Sequence, residues 1–180
     1  MKYPIYEQCE NSIKQALDAL ERLKQRQAIS EATVRAIRLR RRTADIAMQA
    51  TFEELQHAFI TPIDREELLR LRQITEAVLC RVEDTVLMLF RRHQPTLHPN
   101  DNSLLAAVND ECRLLQETIE SFSTHPRSDA VFGRLVALER QHRKSEEQDG
   151  SEQNGASLKK ISAACATATE VIRYILLKVT

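Results

Sequence analysis

The chain has 180 residues, which is enough for one domain with a substantial core and too few for two comfortable ones. With 3 Gly, 5 Pro, no Trp and 29% charged residues, it has the composition of a helical bundle rather than of a β-rich domain. Lys and Arg total 26 and Asp and Glu total 26, so the net charge of zero provides no global field for nucleic acid, and we expect no nucleic-acid partner.

The sequence also lacks the signals of a membrane or exported protein. No apolar run approaches the roughly 20 residues of a membrane-spanning helix, and the first residues have no signal-peptide core. The 4 Cys show no short Cys–Cys spacing, which is typical of reduced thiols rather than of a disulfide framework. We therefore expect a cytoplasmic, single-domain helical protein.

Apolar residues spaced three and four apart predict three helices in the first half of the chain. The first carries Tyr6, Cys9, Ile13, Ala16, Leu20 and Leu23. The second, with Ser30 as its cap, carries Val34, Ile37, Arg41, Ala44, Met48, Phe52, Leu55 and Phe59. The third carries Leu68, Leu71, Thr75, Val78, Val82, Thr85 and Leu89. One member of the second stripe, Arg41, is charged.

After a polar loop at 91–103, the second half repeats this plan. The fourth helix, capped by Asp101 or Asn102, carries Leu105, Val108, Cys112, Leu115, Ile119 and Phe122. The fifth carries Val131, Leu135, Leu138 and His142, and the sixth carries Leu158, Ile161, Cys165, Ala168, Ile172, Ile175 and Val179. Segment 146–156 is low in apolar residues and is expected to be a flexible linker. The pattern predicts an all-α, antiparallel six-helix bundle that forms a single domain over residues 1–180.

The break between the second and third helices has the most complete local signals. Pro62 lacks an N–H and cannot continue a helix. Asp64 is expected to cap the third helix, with Glu67 reaching back to its backbone and Ile63 packing as part of a hydrophobic staple. Alternatively, Thr61 is the cap and Pro62 is the first helical residue, which moves the boundary by at most one turn.

The same stretch resembles the signature of the PhoU-like phosphate-transport regulators. The residues that carry this resemblance are Phe59, Ile60, Thr61, Pro62, Ile63, Asp64, Arg65 and Glu67. Ala44-Asp45, Val82-Glu83 and the ending Ile-Leu-Leu-Lys178 extend it, so that it covers the whole chain. The resemblance implies two three-helix units without enzymatic activity. It also implies an accessory role beside a Pit-type phosphate transporter, in the cytoplasm or peripheral at the inner membrane through that transporter.

PhoU-like proteins often bind iron or zinc through carboxylates spaced four apart, and this chain departs from that pattern. Asp45, Glu76 and Glu139 stand in family positions, but their partners are Arg41, Cys80 and Arg143. We therefore expect no metal or other cofactor.

Ion pairs are the expected replacement for the metal, with Arg41 on Asp45 and Arg143 on Glu139. An equally good interpretation makes Arg41 a surface arginine at the edge of the apolar stripe. A weak residual metal site is the remaining alternative, and its ligands would be Asp45, Glu76, Glu83 and Glu139.

A di-iron enzyme is a minor alternative of a different class. Such enzymes use Glu-x-x-His pairs on two helices of a bundle. The pairs here would be Glu54 with His57 and Glu139 with His142, completed by Glu76 and Glu83. Glu54 and His57 are predicted on the outward side of their helix, which argues against this reading.

The arginine run at 35–42 is the strongest charge feature of the sequence. Arg35, Arg38 and Arg42 share one helix face, which can meet anionic lipid, phosphate or an acidic partner loop. Because no aromatic residue interleaves with them, a solvated surface is the alternative. Taken with the resemblance, this face is the expected contact with the cytoplasmic side of a phosphate transporter. Self-association into a homo-oligomer is a further expectation.

Overall fold

The structure is a computed structural model that describes residues 4–57, 63–94, 96–126 and 128–179. Its helices are α1 (Pro4–Lys24), α2 (Glu31–His57), α3 (Arg65–Arg91), α4 (Asn102–Thr124), α5 (Asp129–Glu147) and α6 (Glu152–Val179). A short 3-10 turn, Pro99–Asp101, precedes α4. The described residues contain no strand, so the predicted all-α six-helix bundle is confirmed. None of the described helices is long and apolar enough to cross a membrane.

Four helices form the centre of the bundle. Helix α1 packs on α3 and α4, and α6 packs on α3 and α4, while α5 covers the edge formed by α4 and α6. The largest fully buried side chains are Phe122, Ile13, Leu20, Leu68, Leu71, Leu89, Leu104, Leu105, Leu115, Ile119, Leu138 and Leu158. Each of these side chains contributes about 1.5–3 kcal/mol of transfer free energy to the core.

Helix α2 lies outside this core and contributes none of those side chains. It packs on α3, and its buried residues are Val34, Thr51 and Leu55. The predicted stripe placed Phe52 inside, but Phe52 is 41% exposed. The neighbouring Thr51 is buried instead and donates a hydrogen bond to Gln8 Oε1 over 2.6 Å. At this level of α2 the small Thr51 side chain, and not the ring of Phe52, therefore faces the bundle.

The break before α3 follows the predicted cap. The Asp64 side chain accepts a hydrogen bond from the backbone N–H of Glu66 over 3.1 Å, which satisfies one of the free donors of the first turn. Ile63 and Leu68 are both buried, as the two halves of the predicted staple. The predicted signature residues 59–62 lie outside the described residues.

The prediction of a long flexible linker at 146–156 is wrong in extent. Helix α5 continues to Glu147, and α6 begins at Glu152, so few residues separate the two helices. The polar and glycine-rich composition that suggested flexibility has another cause. Gly150 and Gly155 pack so closely that a Cβ atom on Gly155 would lie 2.8 Å from the Gly150 carbonyl carbon. Glycine is needed there for close backbone approach.

Asp101, one of the two predicted caps of α4, makes no side-chain capping hydrogen bond to that helix and anchors this connection instead. It is fully buried, and its Oδ1 atom accepts from the Ser151 N–H over 2.6 Å. Its Oδ2 atom accepts from the Ser151 hydroxyl over 3.0 Å and from Asn154 Nδ2 over 3.1 Å. One carboxylate thus ties the start of α4 to the start of α6.

Candidate functional site

An ion-pair network joins the middle of α2 to α3. The guanidinium of Arg40 pairs with Glu76 and with both carboxylate oxygens of Glu83, the Nη2–Oε2 distance to Glu83 being 2.6 Å. Side-chain exposure is 22% for Arg40 but only 5% for Glu83. A two-pronged contact with a buried carboxylate is among the strongest geometries available to arginine. The network therefore supplies the attachment that apolar burial does not provide in α2.

Arg41 takes part in the same network. Its Nε donates to Glu83 over 2.9 Å, and its Nη2 donates to Asp84 and to the Cys80 carbonyl oxygen, each over 2.8 Å. The predicted pair of Arg41 with Asp45 is therefore wrong, because Arg41 turns toward α3 and Asp45 is exposed. An ion pair with Asp45, one turn away on a solvated face, would stabilise less than the ion pair with the buried carboxylate of Glu83 on the neighbouring helix.

Arg72 extends the network from α3 to α1. Its Nη1 donates to Glu76 over 3.0 Å and to the Ser12 hydroxyl over 3.2 Å, and its Nε donates to Gln8 over 3.3 Å. Three arginines thus face the three carboxylates of Glu76, Glu83 and Asp84. This balance of charge is what allows so many charged groups to be partly buried together.

The protonation equilibria of the network follow from these contacts. Burial alone would raise the pKa of Glu76, but the hydrogen bonds and charges of Arg40 and Arg72 outweigh it and lower that pKa. Burial and the charge of Glu76 raise the pKa of the Cys80 thiol, which accepts from Arg40 over 3.6 Å. A thiol with a raised pKa forms less of the reactive thiolate, so Cys80 is a poor nucleophile.

The network also occupies the carboxylates that the metal-binding interpretation required. Arginine nitrogen atoms bind Glu76 and Glu83, and Asp45 lies apart on the exposed side of α2. Glu139 pairs with Arg173 of α6, not with Arg143, which is exposed. Within the described ranges, no group of three or more His, Cys, Asp or Glu side chains could hold a metal ion.

The two Glu-x-x-His pairs of the di-iron interpretation do not converge. Glu54 and His57 are exposed on α2, which packs on α3. Glu139 and His142 lie on α5, which packs on α4 and α6. The structure therefore does not form the shared cage of facing helices that such a site needs.

His142 belongs to a second polar cluster, between α4, α5 and α6. Glu111, which is 1% exposed, accepts hydrogen bonds from the hydroxyls of Ser162 over 2.6 Å and Ser145 over 3.0 Å. The Nδ1 atom of His142 lies 3.2 Å from Glu111 and 2.9 Å from Ser162. Because one ring nitrogen faces both groups, this is no serine–histidine–acid relay, which uses the two nitrogens separately. Burial raises the pKa of Glu111 although the three neighbours act to lower it.

The outer face of α2 carries the remaining predicted site residues. Arg35, Arg38 and Arg42 are all exposed, and Arg35 makes only a loose pair with Glu31 over 3.9 Å. Two large apolar side chains lie beside these arginines and are also exposed, Leu39 to 64% and Ile46 to 71%. We call these five residues the α2 outer face. The structure thus places the predicted arginines together and adds an apolar component.

A groove of about 530 Å³ lies beneath the first half of α2. Its apolar lining includes Leu23 of α1, Ile37 of α2, and Leu79 and Val86 of α3. Along this groove the first half of α2 does not close onto α1, although Thr51 in the second half of α2 reaches Gln8 of α1. Helix α2 is therefore supported from one side by α3 and presents its opposite side outward.

The predicted signature residues that the structure describes link the start of α3 to two other helices. Glu67 accepts from Lys178 of α6 over 3.0 Å, rather than from the backbone of Asp64 as expected. Arg65 donates to the Gln56 carbonyl oxygen at the end of α2 over 3.3 Å. The start of α3 is thereby connected to the ends of two other helices.

Sequence reasoning missed Arg40, Arg72 and Glu111. The four-residue spacing of Arg72 and Glu76 was a usable signal, because residues so spaced are neighbours on a helix. Arg40 and Glu111 gave no such signal, since their partners lie on other helices and are distant in the sequence.

This arrangement of six helices is the fold of PhoU-like proteins. A solved structure provisionally described as a PhoU-like phosphate regulatory protein from Shewanella oneidensis MR-1 is similar over 97% of this chain and 99% of its own, with a TM-score of 0.67 and 12% sequence identity. A second PhoU-like protein from the same organism is similar over the same shares, with a TM-score of 0.63 and 12% identity.

The sequence comparisons gave a different result. No family model matches the chain, and no curated protein matches it. The likeness at 12% identity therefore defines the fold, and the role of the chain has to be argued from its own residues.

Proposed function

We propose that the protein regulates inorganic phosphate transport by contact with the cytoplasmic side of a Pit-type transporter. The observation that carries this proposal is the likeness in fold to a PhoU-like phosphate regulatory protein over 97% of the chain. The resemblance of the signature residues at 59–67 supports it from the sequence. In this proposal the protein lies in the cytoplasm, peripheral to the membrane, and acts by binding rather than by catalysis.

The chemistry of the polar clusters favours binding over catalysis. The carboxylates of the α2–α3 network are held by arginines, and Cys80 has a raised pKa. Ser162 is fully buried, and the Nδ1 atom of His142 lies within hydrogen-bond distance of both Ser162 and Glu111. The exposed chemistry of the chain is concentrated instead on the α2 outer face, which is the proposed contact with the transporter.

Phosphate uptake measures the proposed function directly. A strain that lacks this protein would be complemented with the wild type, with an α2 triple variant or with an α5 control variant. The α2 triple variant is R35E/R38E/R42E, and the α5 control variant is R140E/R143E/K144E, which reverses three exposed cations elsewhere on the bundle. We expect the wild type and the control to restore the same initial rate of radiolabelled phosphate uptake, and the α2 triple variant to fail. Uptake that does not depend on the protein would refute the proposal.

A further inference from the structure

We propose that the α2 outer face binds an anionic lipid surface directly, with α2 lying flat on the headgroups. This inference rests on the proposed function for the place where the protein acts, and it adds the anionic headgroups beside the transporter to what the α2 outer face contacts there. Three observations carry it: the spacing of the arginines around exposed apolar residues, the excess of arginines over acids in this part of α2, and the attachment of the inner side of α2 to α3.

The first observation is the combination of charge and apolar surface on one side of a helix. Arg35 precedes Leu39 by four residues, and Arg42 lies three residues after Leu39 and four before Ile46, so these side chains share one side of α2. Leu39 and Ile46 are 64% and 71% exposed. Apolar side chains that enter the boundary of the acyl chains, next to cations that meet the headgroups, are typical of a helix lying in a membrane interface.

The second observation concerns the charge around this face. Residues 31–45 contain five arginines and two acids, Glu31 and Asp45, which lie exposed at the two ends of the arginine run. Arg40 and Arg41 pair with carboxylates of α3, which leaves Arg35, Arg38 and Arg42 exposed, with only a loose pair between Arg35 and Glu31. The chain as a whole has zero net charge, so the attraction to an anionic surface is local to α2 and not a general property.

The third observation is the support behind α2. The Arg40 and Arg41 pairs fix the inner side of α2 on α3, so the helix is already formed and oriented before it meets a surface. A pre-ordered helix avoids the entropy cost of folding on the membrane.

Two other occupants fit this face less well. A symmetric contact with a second copy would place Arg35, Arg38 and Arg42 near the same three cations of the partner, which opposes association. A single-stranded nucleic acid would favour aromatic side chains for base stacking, and residues 32–46 contain none.

Vesicle binding tests the inference without any transporter. The full-length protein is sedimented with vesicles of phosphatidylcholine alone or with about 30 mol % phosphatidylglycerol, at about 0.1 M and about 0.5 M NaCl. We expect binding only to the anionic vesicles and its loss at high salt. The α2 triple variant should bind at least about 100-fold more weakly, and the α5 control variant, which has the same net charge, should bind more strongly than the α2 triple variant.

An L39S/I46S variant tests the apolar component. Both side chains are exposed, so we expect unchanged helicity and thermal unfolding but about 10-fold weaker vesicle binding. The inference is overturned if no anionic vesicle binds, if pure phosphatidylcholine binds equally, or if the two charge variants behave alike. Co-purification with a transporter in detergent that requires the same arginines, without vesicle binding, would assign the face to a protein. That outcome would overturn lipid binding but leave the proposed function standing.

Discussion

Replacing Arg40 by methionine should loosen α2 from the bundle. The substitution keeps an unbranched side chain of similar length but removes the guanidinium that contacts Glu76 and Glu83. Since α2 buries few apolar side chains, the loss of stability should be confined mainly to α2 and should leave the four central helices little changed.

The magnitude follows from what remains in the network. Removing one partner of a buried ion pair typically costs about 3–5 kcal/mol. Here Glu83 keeps Arg41 and Glu76 keeps Arg72, while solvent reaches part of Arg40. We therefore expect R40M to cost about 2 kcal/mol in the docking of α2, which corresponds to an increase of about 30-fold in local opening.

Hydrogen exchange followed by mass spectrometry measures this opening. Peptides within residues 36–50 should lose about 30-fold of their protection, whereas peptides of α1 and α4 should keep theirs. R35M is the matched control, because Arg35 has a 76% exposed side chain on the same helix and makes only a loose ion pair. Equal protection of α2 in R40M and R35M would refute the role of the network in holding this helix.

Three further predictions follow from the polar contacts. The pKa of Glu76 is lowered in the folded state from its ordinary value of 4.5, so the stability that its ionised form provides is present above that value and is lost as the pH falls through the folded pKa. E76Q should therefore make the free energy of unfolding, measured with urea at a series of pH values, fall less steeply at acidic pH. An unchanged pH dependence would contradict this reasoning. D101N should lower the free energy of unfolding by about 2 kcal/mol, because the hydrogen bonds from Ser151 would then go to a neutral amide and not to a carboxylate. It should also speed proteolysis within residues 148–151. A cleavage rate like that of the wild type would contradict the role of Asp101 in holding this connection. Protein purified without chelator should contain iron and zinc far below one atom per chain by elemental analysis, because arginines occupy Glu76 and Glu83, and stoichiometric metal would show that this interpretation is wrong.

The fold was largely predictable because the central helices follow simple rules. Apolar residues at three- and four-residue spacing fix which side of α1, α3, α4 and α6 is buried, and such burial dominates their stability. The cap at Asp64 was equally local, since a side chain and a backbone N–H two residues apart form it. These features depend on residues that are close in the sequence.

Long-range polar contacts explain why the partners predicted for Asp101 and Arg41 were wrong. Asp101 was predicted as one of two candidate local caps, but its carboxylate accepts from Ser151 and Asn154, which are about 50 residues away. Likewise, Arg41 was assigned to Asp45 on its own helix, although Glu83 on α3 is its partner. Sequence spacing describes neighbours within a helix, and it carries no information about which charged residue a different helix will present.

Co-purification tests the central claim, contact with a phosphate transporter through the α2 outer face, most directly. A tagged Pit-type transporter is isolated in detergent with the wild-type protein, the α2 triple variant or the α5 control variant. The account predicts that the wild type and the control are retained and that the α2 triple variant is lost. Retention of all three at equal levels would contradict the assignment of this face, and retention of none would contradict the transporter contact itself.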